Sequence, residues 1–160
     1  MDQQLTENFS IANVITEDLV SLELAATTKE EAILELTELL YQNDLITDKA
    51  AFSEDVFNRE KEGMTGLGQG IAIPHGKSDS VVKTSLVVGK AKQPIEWESL
   101  DDEPVNVIIL FAVRNIEANT LHIKLLQKVA TLLADEEFID SLHQASTKAE
   151  MIALLSKEPE

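Results

Sequence analysis

Nine consecutive residues, Val105–Val113 (VNVIILFAV), are apolar at every position but one. A strand with one wet face alternates apolar and polar side chains, so a run without alternation must be covered on both faces. That excludes an open-faced sheet and calls for helices on either side. The rest of the chain supplies them. Thr28 followed by Glu31 is a capping box, after which Ala32, Ile33, Leu36, Leu39 and Leu40 recur at helical spacing to about Gln42. Asp48 can cap a second helix through Phe52, Val56 and Arg59, stopped by Gly63. Asn119 or Thr120 opens a third, carrying Leu121, Leu125, Leu126, Val129 and Leu133. Shorter helices are expected at Glu136–Gln144 and, behind a Thr147/Glu150 capping box, at Lys148–Ser156. Further strands are expected at Asp18–Leu24, Ile71–Ile73 and Thr84–Val88. Helices around several apolar strands imply an α/β sandwich.

With 160 residues, no internal repeat and no Pro/Gly-rich linker, the chain fits one domain. We expect that domain over 13–156, behind a flexible tail at 1–12. The N-terminus has neither a basic start nor an apolar run, and no stretch reaches the ~20 apolar residues of a membrane-spanning helix. There are no cysteines, which removes disulfides, thiolate metal sites and a cysteine nucleophile together. Both observations favour the cytoplasm. The net charge of −16 argues against nucleic acid or an anionic membrane as a partner, both being polyanions. The charge is uneven: residues 1–58 carry −11 and residues 93–160 carry −8, whereas residues 59–92 carry six Lys+Arg against three acids, a net +3.

That basic island holds the candidate chemistry. Gly66, Gly68 and Gly70 form GxGxG, but Ile71 breaks the dinucleotide fingerprint, and it also occupies the position where Gly76-Lys77-Ser78 would need a P-loop glycine. What remains is a permissive loop whose backbone N–H groups can approach a ligand closely. The three histidines, His75, His122 and His143, are far apart in sequence and lack metal-ligand spacing. No nucleophile elbow is present, so Ser78 and Asp79 beside His75 read as a polar turn. His75 ends an apolar strand after Pro74, where rigid backbone can hold it toward solvent. His122 falls on the apolar stripe of its helix, the place of a core histidine, but also in the first turn, where the dipole favours an anion. His143 reads as a surface residue. Arg59 ends a helix just before the glycine loop; it can cap its own helix or fork onto phosphate oxygens. A nucleophilic histidine, an arginine, open backbone and a second histidine at a helix start together describe phosphoryl transfer.

Glu60 through Gly76, EKEGMTGLGQGIAIPHG, resembles the signature of type-2 (fructose/mannitol family) enzyme IIA domains of the bacterial sugar phosphotransferase system. Glu60, Leu67-Gly68, Ile71-Ala72-Ile73-Pro74-His75 and Gly76 fill its slots, and the likeness extends from Val14 to about Leu155. The resemblance implies a mixed β-sheet sandwiched between helices. It also implies that His75 takes a phosphoryl group from the phosphocarrier HPr and passes it to a cysteine of a cognate enzyme IIB, indirectly serving a membrane IIC subunit. Arg59 and His122 match the family's supporting arginine and histidine, and no metal or cofactor is called for. The regulatory, nitrogen-type IIA proteins share this texture, so a role in partner binding according to phosphorylation state stands as the alternative.

Overall fold

The structure, a computed structural model, describes residues 11, 14–117 and 120–156. Of the tail expected over 1–12, all but Ile11 lies outside the described residues; Ile11 is buried in the core. Strand β1 (Val20–Leu24) leads into two helices, α1 (Lys29–Gln42) and α2 (Lys49–Glu62). Both begin where the sequence places their caps. Thr28 Oγ1 accepts from Glu31 N at 3.2 Å, and Asp48 Oδ1 accepts from Ala51 N at 3.0 Å. The Glu31 carboxylate also reaches back past the cap to accept from Thr27 N at 2.9 Å.

Three short strands and two long ones follow: β2 (Gly66–Gly68), β3 (Ile71–Ala72), β4 (His75–Ser78), β5 (Ser85–Ile95) and then β6 (Val105–Arg114). They close a six-stranded sheet in the order β1-β5-β6-β3-β2, with β4 also paired to β6. Strand β1 runs parallel to β5, β3 and β4 run parallel to β6, and the β5–β6 and β2–β3 pairs are antiparallel, so the sheet is mixed. The apolar run from the sequence is β6 at its centre, buried except at Asn106 and Arg114, which are half-buried. Helices α3 (Leu121–Leu133), α4 (Glu136–Gln144) and α5 (Lys148–Leu155) complete the chain.

Successive side chains of a strand point to opposite faces. On β4, Gly76 faces α2, where an added Cβ would lie 2.7 Å from Phe52 Cε1 and Val56 Cγ2. His75 faces the other way, toward the start of α3. The sheet is therefore sandwiched between helices, as the doubly buried β6 requires.

The polar turn expected at Ser78 and Asp79 is present, with Val81 N donating to the Ser78 carbonyl at 3.2 Å. The strand before it was not expected: after Pro74 the chain re-enters the sheet, and His75, Gly76, Lys77 and Ser78 pair in register with Phe111, Ala112, Val113 and Arg114. Strand β5 runs well beyond Val88. Its register shifts between Lys90 and Ile95, an irregularity that hides the strand behind Gly89, Lys90 and Pro94 in the sequence.

Candidate active site

His75 is the first residue of β4, and its side chain is only 7% exposed. Its register partner Phe111 lies beside it on β6, and the two rings stack with centroids 5.1 Å apart at 27°. His122, at the second position of α3, turns its ring edge-on to His75 at 5.1 Å and 85°. It also meets Phe111 at 5.9 Å and 73°. Three rings 47 residues of chain apart at their extremes thus form one cluster, because β4 and the N-terminus of α3 both close over the same end of β6. The N-cap of that helix, Thr120, makes no side-chain cap bond.

Electrostatics favour a neutral ring. Burial above all, with the nearby His122 and the Arg59 guanidinium, lowers the His75 pKa from its ordinary 6.5 to about 4. The carbonyls of Pro74 and Ile73 pull weakly the other way. Nδ1 of His75 is enclosed by protein without a hydrogen bond in good geometry. Among the described residues no three His, Asp or Glu side chains come together to hold a metal ion.

Arg59 sits in the last turn of α2, which Gly76 allows to press onto β4. Its Nη1 donates to the Gly63 carbonyl at 3.1 Å, so the guanidinium caps its own helix while its charge is felt at His75. The neighbouring Glu60 has a different task. Its buried carboxylate pairs with Lys29 Nζ at 2.8 Å and accepts from Thr65 Oγ1 at 2.7 Å. Thr65 Oγ1 in turn accepts from Trp97 Nε1 at 3.1 Å. Lys29 also reaches Glu98 at 2.9 Å and lies 5.4 Å over the Trp97 ring. Burial opposes the Lys29 charge, but the two carboxylates outweigh it and raise its pKa. The network ties the end of α2 to α1 and to the segment after β5. Glu60 was visible in the signature; Lys29, Thr65 and Trp97 gave no signal of their own.

The glycine run does something other than cradle an anion. Gly68, Gln69 and Gly70 all have positive φ (97°, 57° and 81°) and turn the chain between β2 and β3. Ile71 pairs with Val107 whereas His75 pairs with Phe111, so the turn lies toward the other end of β6 from the histidine cluster. The Gln69 N–H is already taken by Asp101 Oδ2 at 2.9 Å. The Gly70 carbonyl accepts from Asn106 N and Val107 N, both at 2.9 Å. His143 is not a bare surface residue either: it is half-buried, and its Nε2 donates to the Gln69 carbonyl at 2.6 Å. Lys90, another member of the basic island, donates to the His143 and Ala145 carbonyls at the end of α4. The structure thus brings together His75, His122 and the charge of Arg59, and it assigns His143, Lys90 and the glycines to a structural latch.

A cleft of about 690 Å³ runs along Thr28, Lys29, Glu96, Trp97, Glu98 and Glu103, away from the histidines. No helix among the described residues is long and apolar enough to cross a membrane.

Comparison with known proteins agrees with this fold. The chain is 31% identical over 147 residues to the fructose-specific EIIABC component of the phosphotransferase system of Bacillus subtilis, covering 92% of this chain and 23% of that protein. It therefore spans under a quarter of that relative's length. The crystal structure of nitrogen regulatory protein IIA-Ntr from Neisseria meningitidis matches with a TM-score of 0.83 at 29% identity, over 91% of this chain and 98% of that one. Enzyme IIA mannitol of Escherichia coli, in its complex with phosphorylated enzyme IIB mannitol, matches with a TM-score of 0.74 at 28% identity, over 88% and 96% of the two chains. The family model for the phosphoenolpyruvate-dependent sugar phosphotransferase system, EIIA 2, matches residues 13–158. A single mixed sheet between helices is the fold of the matched structures, and with the family model covering nearly the whole chain, the chain belongs to the type-2 enzyme IIA family.

Proposed function

We propose that this protein is a phosphoryl carrier of the sugar phosphotransferase system, working in the cytoplasm, that accepts the group from HPr on His75 and hands it to a cysteine of an enzyme IIB. The observation that carries this reading is a desolvated imidazole, neutral down to about pH 4, held edge-on to a second imidazole. A neutral ring has the lone pair that nucleophilic attack requires. With Nδ1 enclosed by protein, the ring's proton is held inward there and Nε2 offers its lone pair outward. The Nε2–P bond forms as the donor's P–N bond breaks in line, and that bonding pair returns to the donor ring. His122 and the Arg59 guanidinium, released from Gly63, then stabilise the transferred oxygens, aided by the dipole of α3. A histidine at a sheet edge suits donors and acceptors that are themselves proteins. The enzyme IIB partner is supported by a relative solved with phosphorylated enzyme IIB, and through that partner the protein serves a membrane IIC subunit.

Incubation with phosphoenolpyruvate, enzyme I and HPr tests the reading. The wild type is expected to gain one acid-labile phosphoryl group on His75 and His75→Ala to gain none; phosphorylation of the variant would refute the assignment. A second reading, regulation through phosphorylation-dependent binding, is favoured by the match to the nitrogen regulatory protein over nearly its whole length. Transfer from the phosphorylated protein to an enzyme IIB cysteine separates the two: rapid transfer supports transport, and none with any enzyme IIB supports regulation.

A further inference from the structure

Phe111 is fully buried at the centre of the sheet, yet its ring meets both imidazoles. Its place is fixed twice over by the backbone. Its N–H donates to the Pro74 carbonyl at 2.9 Å, and its register partner across the parallel β4–β6 ladder is His75 itself. An aliphatic side chain would fill the same volume without a flat face. A flat face at 5.1 Å restricts rotation of the imidazole about its own axis, so one nitrogen stays inward and the other outward. It also presents π density to a ring whose charge changes in the reaction. When Nε2 bonds to phosphorus while Nδ1 keeps its proton, the His75 ring takes on imidazolium character. The donor ring loses that character as it recovers its electron pair. A cation within about 6 Å of an aromatic face is attracted by its quadrupole, and this attraction grows along the reaction, where binding energy lowers the barrier.

We propose that Phe111 is a positioning residue for phosphoryl transfer, locking the His75 ring with Nε2 outward and supporting the positive charge that develops on it. This rests on the reading of His75 as the acceptor. Nothing in the signature marks the residue, which in the sequence is one more apolar position of a buried strand.

The test uses the full chain with phosphoenolpyruvate, enzyme I and HPr, in single-turnover mode, together with ¹⁵N NMR of the histidine rings of the unphosphorylated protein at pH 7. Phe111→Leu is expected to slow transfer about tenfold or more, to reach the same end point on His75, and to bring the two ring-nitrogen shifts of His75 toward each other as the ring flips. Phe111→Tyr keeps the face and should stay within about threefold of wild type. Ile109→Val, equally buried two residues earlier on the same side of β6, should leave both readouts unchanged. If Phe111→Leu does not fold, Phe111→Met, flexible and of similar volume, takes its place. A Leu or Met variant that transfers at the wild-type rate, or slowly but with unchanged His75 shifts, overturns the role of Phe111 alone. A wild type phosphorylated elsewhere than His75 overturns the acceptor reading and this role with it.

Discussion

Because the His75 ring is neutral in the fold with a pKa of about 4, against 6.5 when free, acid stability depends on this residue. Between those two values the unfolded chain binds a proton that the folded chain refuses. The contribution of His75 is therefore complete above about pH 6.5 and is lost progressively as the pH falls through 4. The two-and-a-half-unit gap corresponds to about 3 kcal/mol at its limit. Urea unfolding at pH 7 and pH 4 should show the wild type losing about that much more stability than His75→Gln, whose side chain does not titrate. Equal losses would mean that the ring is wetter than the geometry indicates. At this scale the sequence was informative about chemistry and silent about contacts. His75, His122 and Arg59 could be picked out by type and position. The glycines of GLGQG advertise backbone freedom, but freedom does not say for what. Their partners, Asp101, Asn106 and His143, come from distant segments, so only the fold reveals a latch instead of a cradle.

Among the elements, helices were the most legible, since capping boxes and a 3.6-residue period are local. Strand β4 was not, because four residues reading HGKS carry no alternation and owe their conformation to the ladder on β6. Its Gly76 shows how closely the element is specified. A methyl group there meets Phe52 and Val56 at 2.7 Å, whereas one on Gly63, the C-cap of the same helix, finds its nearest atom, Arg59 Nη1, at 4.0 Å. Gly76→Ala should thus cost about 1–3 kcal/mol by forcing α2 off the sheet. It should also slow phosphoryl transfer, because Arg59 moves with the helix. Gly63→Ala should remain near wild type in both. Chemical denaturation and the single-turnover assay check the pair; a Gly76→Ala protein with unaltered stability would show that the α2–β4 contact has slack.

Over the whole molecule, a net charge of −16 surrounds a site proposed to receive an anion. The +3 segment is not a single patch once folded, since Lys90 is committed to carbonyls at the end of α4 and Arg59 alone of its basic residues acts on His75. The long-range field is therefore that of an acidic body, suited to draw in a basic surface on a protein donor. Association with HPr should slow as salt rises from about 0.05 to 0.5 M, as the Debye length shrinks; stopped-flow mixing would measure it, and a rate indifferent to salt would confine the acidity to solubility. The chain's one tryptophan adds a practical dividend. Trp97 is 6% exposed and is joined through Thr65 and Glu60 to the end of the helix that carries Arg59. It is a built-in fluorophore, wired to the arm that must move when the guanidinium leaves its cap, and its emission can follow that movement in unlabelled protein.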